Sequence, residues 1–126
     1  MQEGMTVLEP GCGMGFFTLP LARIVRPKGR VVALEIQPKM LSVLKQRARK
    51  AGLLDRIEAR STAPHSLGVE DLAGSVDFVA ALYMVHEVPD QRAFLLDIWG
   101  ALKPGGKLFI IEPKGHVSHE DFDFNC

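Results

Sequence analysis

Three glycines at alternate positions, Gly11, Gly13 and Gly15, follow immediately on the short apolar run Thr6-Val7-Leu8-Glu9. No other feature constrains the fold as much. The run reads as a strand, and Pro10-Gly11-Cys12-Gly13-Met14-Gly15 breaks it sharply. From Phe16 to Val25 the apolar residues Phe17, Leu21, Ile24 and Val25 recur at helical spacing, and Pro20 is tolerated if it lies in the first turn. A strand that passes through glycines into a helix opens a β–α unit.

The alternation continues along the chain. Val31-Val32-Ala33-Leu34 is a continuous apolar run, which suits a parallel strand covered on both faces, and Glu35 closes it. Pro38 fits the first position of a helix whose buried stripe is Leu41, Leu44, Ala48 and Ala51. Ile57-Glu58-Ala59 is a weak third strand, followed over 61–74 by loop with one short helix. Val76 to Leu82 is the fourth strand. Asp90 caps a helix with the apolar face Phe94, Leu95, Ile98, Trp99 and Leu102. Pro104-Gly105-Gly106 is a tight turn before a fifth strand, Lys107 to Glu112. The expected fold is α/β, a doubly wound, mostly parallel five-stranded sheet in one domain over 1–126. In such sheets a ligand sits beyond the carboxyl ends of the strands. The residues there are Glu9 to Gly15, Glu35, Ser61 to Pro64, Leu82 to Glu87 and Glu112 to His116.

Composition narrows the partners. Fifteen basic and fifteen acidic residues cancel, which argues against nucleic-acid binding through bulk positive charge. No apolar run reaches the ~18–20 residues that span a bilayer, so no membrane partner is expected. Cys12 and Cys126 have neither zinc nor disulfide-framework spacing, and the expected compartment is cytoplasmic. Nine Lys and Arg lie between Arg23 and Lys50 against the single acid Glu35. They read as a solvated helix face, or as a patch that attracts an acidic substrate or a partner's acidic tail. His116 and His119 beside Glu120 have no cysteine close in sequence and are not read as a metal site.

The glycine spacing is informative in detail. A dinucleotide fingerprint needs a glycine where Phe16 stands, and here the third glycine comes one residue early. That disfavours a nicotinamide oxidoreductase and suits a nucleoside ligand without a pyrophosphate. Glu35, closing the second strand, is placed to accept hydrogen bonds from a ribose diol.

With these residues in hand, the sequence resembles the class I S-adenosylmethionine-dependent methyltransferases with a methyltransferase domain 11-like, Rossmann-like core. The resemblance rests on Val7 to Gly15, Val32-Ala33-Leu34-Glu35-Ile36, Asp77-Phe78-Val79 with Val85 to Asp90, and Leu102 to Leu108. It implies an S-adenosyl-L-methionine cofactor and a small-molecule methyl acceptor. Gly11 and Gly13 would pass under the methionine part, with Cys12 and Gly15 in the same turn, and Glu9 would help hold the amino group. Glu35 would bind the ribose, and Ile36 and Met40 would line the adenine pocket. The backbone near Leu82 would accept from the ammonium. The family often places an Asp against the adenine amino group where this chain has Ala63, so Thr62 or a backbone group would substitute. The family also has helices before the first strand and two further strands after the fifth. The tail from His119 reads here as the start of a helix cut short. Strand five would then be an open edge, and self-association through that edge or the tail is expected.

Methyl transfer from a sulfonium needs a base only when the acceptor must lose a proton. His86 and Glu87, after strand four on the ligand side, are the candidates, and Tyr83 would shape the acceptor pocket. Cys12 has no adjacent base to make it a nucleophile. A methyltransferase is the leading expectation, and a non-catalytic cofactor-binding or self-associating module is the alternative.

Overall fold

A computed structural model describes residues 4–82 and 89–111, and the backbone of 120–123. The elements are β1 Thr6–Pro10, α1 Thr18–Val25, β2 Arg30–Glu35, α2 Pro38–Ala51, β3 Ile57–Ser61, β4 Val76–Leu82, α3 Gln91–Ala101, β5 Leu102–Ile111 and β6 Glu120–Asp123. Short 3-10 turns occupy Leu54–Arg56 and Glu70–Leu72. The sheet runs β3-β2-β1-β4-β5-β6, with β1 to β5 parallel and β6 antiparallel to β5. The winding reverses at β1, whose neighbours are β2 and β4.

Side-chain alternation along the strands builds two cores. Val31 and Ala33 of β2 join Val7 and Ala80 beneath Leu19, Ala22 and Val25 of α1 and Leu41, Leu44 and Ala48 of α2. Val32 and Leu34 join Leu8, Val79, Ala81, Leu108 and Ile110 beneath Phe94, Ile98 and Ala101 of α3. So α1 and α2 share one face of the sheet and α3 covers the other. Full burial of a side chain such as Leu44, Ile98 or Leu108 stabilises the fold by about 1.5–3 kcal/mol each.

Local signals act as the sequence suggests. Pro38 opens α2, Pro20 falls in the first turn of α1, and the Asp90 carboxylate accepts from the Ala93 N–H at 3.0 Å to cap α3. Ala51, expected in the buried stripe of α2, is exposed, and only Leu41, Leu44 and Ala48 of that stripe are buried. Three further expectations are corrected. Trp99 lies on the outer side of α3 and is 51% exposed, and Leu102 belongs to β5. The Pro104-Gly105-Gly106 turn is absorbed into β5 as an irregularity: the register runs Val76↔Leu102 and then Phe78↔Lys107. A Cβ on Gly106 would stand 2.9 Å from the Lys103 carbonyl oxygen and 3.1 Å from that of Val76. The Lys103 ammonium reaches Asp77 Oδ1 at 2.7 Å, while Asp77 Oδ2 accepts from the Thr6 N–H at 2.8 Å. That carboxylate ties the start of β1 to β4 and β5.

The last correction concerns the tail. Residues 120–123 form a strand paired with β5, Leu108 opposite Phe122 and Ile110 opposite Glu120, instead of starting a helix. Backbone pairing occupies the edge of β5 over 107–110 within the single chain, so the open edge invoked for self-association is not there.

Candidate functional site

The end of β1 meets the end of β2 through the glycine turn. Gly11, Gly13 and Gly15 have φ of +67°, +57° and +92°, a region that side chains with a Cβ enter at a cost. The turn is held from β2: the Cys12 N–H donates to the Leu34 carbonyl at 2.9 Å, and the Gly13 N–H donates to Glu35 Oε1 at 2.9 Å. The other Glu35 oxygen accepts from the Gln37 N–H at 3.0 Å. Its backbone carbonyl accepts from the Thr62 N–H at 3.0 Å. Glu35 therefore ties together the glycine turn, the entry to α2 and the loop after β3.

A cavity of about 430 Å³ opens on this junction. Seven of the residues singled out from sequence line it: Gly11, Gly13, Glu35, Ile36, Met40, Thr62 and Ala63. Ile36 is 50% exposed, an apolar side chain at the mouth of the cavity. Glu9, Cys12, Gly15 and Leu82 do not line it. Glu9 is only 2% exposed and turns into the core, where the Thr18 hydroxyl of α1 donates to its carboxyl group. Burial pushes the Glu9 carboxyl up to about 8, against the lowering effect of that hydrogen bond. Cys12 is buried under the turn, and burial with the nearby charges of Glu9 and Glu35 raises its thiol, so it is held unreactive. Gly15 packs against Leu44 in the core. Tyr83, His86 and Glu87 lie outside the described residues, as do His116 and His119.

Apart from Pro64, which the sequence reading places at the ligand end of the sheet, the remaining wall was not foreseen. Pro64, His65, Ser66 and Leu67 come from the loop after β3, and Pro89, Asp90, Phe94 and Asp97 from the start of α3. Asp97 Oδ2 accepts from the Leu67 N–H at 3.1 Å and so pins the loop to α3. The Arg60 guanidinium grips the loop's far end, with Nη1 2.9 Å from Asp71 Oδ1 and Nη2 2.8 Å from Asp71 Oδ2, and Nε 2.5 Å from Glu58. That fork holds the Asp71 carboxyl below its ordinary range. The helix cap Asp90 was legible in sequence, but its place at the cavity depends on the strand order.

Residues 8–110 match the family described as Methyltransferase domain. The chain belongs to that family. This methyltransferase domain is 33% identical over 107 residues to the ubiquinone biosynthesis O-methyltransferase of Xanthomonas axonopodis pv. citri, covering 85% of the chain and 42% of that protein. It is 31% identical over 112 residues to the demethylmenaquinone methyltransferase of Oceanobacillus iheyensis, covering 89% of the chain and 46% of that protein. A SAM-dependent methyltransferase from Aquifex aeolicus superposes with a TM-score of 0.83 at 29% identity, over 97% of the chain and 63% of that structure. The domain thus spans less than half the length of these two curated relatives. The parallel α/β sheet expected from sequence is the architecture of that solved methyltransferase.

The arrangement fits a nucleoside-bearing cofactor. The cavity has the volume of a small-molecule site, a glycine wall that brings backbone close to a ligand, a carboxylate for hydroxyl donors and an apolar side chain at its mouth. Each Glu35 oxygen takes one backbone N–H, which leaves acceptor capacity for a vicinal diol. Among the described residues no group of three or more His, Cys, Asp or Glu side chains is placed to hold a metal ion.

Proposed function

We propose that residues 1–126 form the S-adenosylmethionine-binding core of a cytoplasmic methyltransferase that acts on a small-molecule acceptor. The observation that carries this reading is the Glu35 carboxylate bonded to the Gly13 N–H at the wall of the cavity. Glu35 receives the ribose hydroxyls and Gly11 and Gly13 pass beneath the methionine part. Ile36 and Met40 pack on the adenine, and Thr62 and Ala63 close its outer edge. The backbone near Leu82 accepts from the ammonium, with Cys12 and Gly15 shaping the turn. Glu9 acts from beneath that turn, fixing it to α1 through Thr18.

The cofactor supplies an electrophilic methyl group, and the chain supplies position and electrostatics. The glycine turn holds the ligand against the ends of β1 and β2, and the loop pinned by Asp97 limits water on the other side. His86 and Glu87 follow β4, and one of them takes a proton from an acceptor hydroxyl. Tyr83 bounds the acceptor's place. Relatives that act in ubiquinone and menaquinone biosynthesis support a hydroxylated or reduced quinone-type ring as acceptor.

The test is transfer of a labelled methyl group from S-adenosylmethionine to a panel of hydroxylated aromatics, reduced quinones and amines. Label on the aromatic oxygen or carbon, lost in His86→Ala or in Glu87→Ala, supports the reading. Label on amines alone overturns the acceptor class, and unchanged turnover in both variants removes the proton-transfer role.

A further inference from the structure

The exposed charged side chains of α1 and α2 are all basic. Arg23 and Arg26 at the end of α1 and Lys39, Lys45, Arg49 and Lys50 on α2 are exposed. Among the described residues none of the six is in an ion pair. The ion pairs that form lie elsewhere, at Glu58 with Arg30 and Arg60, at Asp71, at Asp55 and at Asp77. The single acid between Arg23 and Lys50 is Glu35, which is turned to the cavity. Apolar side chains stand among these cations: Phe16 is 63% exposed and Ile24 46%. The Arg47 guanidinium lies 4.4 Å from the Phe16 ring centroid and donates to the Met14 carbonyl at 3.3 Å, which holds the ring at the surface beside the glycine turn.

We infer that this face adsorbs to a bilayer surface rich in anionic lipid. Acidic and basic residues are equal in number over the whole chain, so concentrating cations here leaves the remainder acidic. A planar anionic leaflet meets one face of the molecule at a time and attracts the basic one. A long nucleic acid would meet both, and its solvated backbone offers nothing to Phe16 or Ile24. A second copy of the same face would oppose like charges. The headgroup–acyl boundary accepts both features, cations at the phosphates and apolar side chains beneath them. Adsorption of this kind needs no spanning helix, and none among the described residues is long and apolar enough to cross a membrane. Because Phe16 follows the glycine turn directly, the cavity's glycine wall comes to lie near the lipid surface.

The experiment is co-sedimentation of the chain with vesicles of phosphatidylcholine alone and of phosphatidylcholine mixed with phosphatidylglycerol. Binding to the mixed vesicles is expected, weakening as salt rises from ~0.1 M to ~1 M and the screening length falls to about 3 Å. Each basic side chain near such a surface contributes roughly fivefold to partitioning, so Lys45→Gln with Arg49→Gln lowers it about thirtyfold. Phe16→Ser lowers it at every salt concentration. Equal binding to both vesicle types, binding to neither, or tighter binding to double-stranded DNA than to the mixed vesicles overturns the inference. The wild-type comparison decides this even if a variant folds poorly.

Discussion

Glu9 and Glu35 close adjacent strands, and their surroundings give the same side chain two states. Glu35 accepts two backbone N–H bonds at the mouth of a cavity, whereas Glu9 is buried and, among the described residues, accepts from the Thr18 hydroxyl. Its folded-state pKa of about 8 lies above the unfolded value of 4.5, so the folded chain binds the proton more tightly. The stability this contributes is complete below about pH 4.5 and is lost as pH rises through about 8. Urea midpoints measured from pH 5 to 9 should fall, and Glu9→Gln should flatten the slope; an unchanged slope in the variant would assign it to another group. The sequence marked Glu35 as a ligand residue because it closes a strand at a known spacing from a glycine turn. It marked Glu9 for the same side of the sheet, yet the last residues of β1 are enclosed by α1. Which way a strand-end carboxylate turns depends on Thr18, a partner nine residues away that no local pattern announces.

The two glycines that flank the α3–β5 junction separate propensity from packing. Gly100 lies within α3, and a Cβ added there would meet no atom within 4 Å, so Gly100→Ala should stabilise the fold by about 0.5–1 kcal/mol. Gly106 faces backbone oxygens at 2.9 and 3.1 Å, so Gly106→Ala should destabilise it by about 1–3 kcal/mol. Thermal melts of the two variants should move in opposite directions, and a shared direction would contradict the register given for β5. Helices and strands with strong periodicity or a clear cap, α2, α3 and β4, were readable from sequence. The tail was not, although Asp121-Phe122-Asp123-Phe124 alternates with a period of two. A strand of four residues earns its place only from the partner it pairs with, here β5. The loop after β3 likewise owes its position to Arg60 and Asp97, contacts that cross from one element to another. Asp97→Ala leaves the Leu67 N–H without its acceptor, and should weaken cofactor-analogue binding several-fold while lowering stability by about 1–3 kcal/mol.

At the scale of the molecule, the reversal of winding at β1 places the glycine turn, Glu35 and the start of α3 around one cavity. The alternation of strands and helices made the parallel sheet predictable, and with it the end of the sheet where a ligand sits. The strand order, which brings Asp90, Phe94 and Asp97 to the far wall, is a long-range property and was not visible in any segment. Calorimetric titration with S-adenosylhomocysteine tests the central claim most directly, because it reads the cleft without needing an acceptor. The account predicts saturable one-to-one binding to the chain. It also predicts a loss of about tenfold to a hundredfold or more in Glu35→Ala, the range of one charge-assisted hydrogen bond or more. No heat of binding at millimolar ligand, or equal affinity in Glu35→Ala, would contradict it.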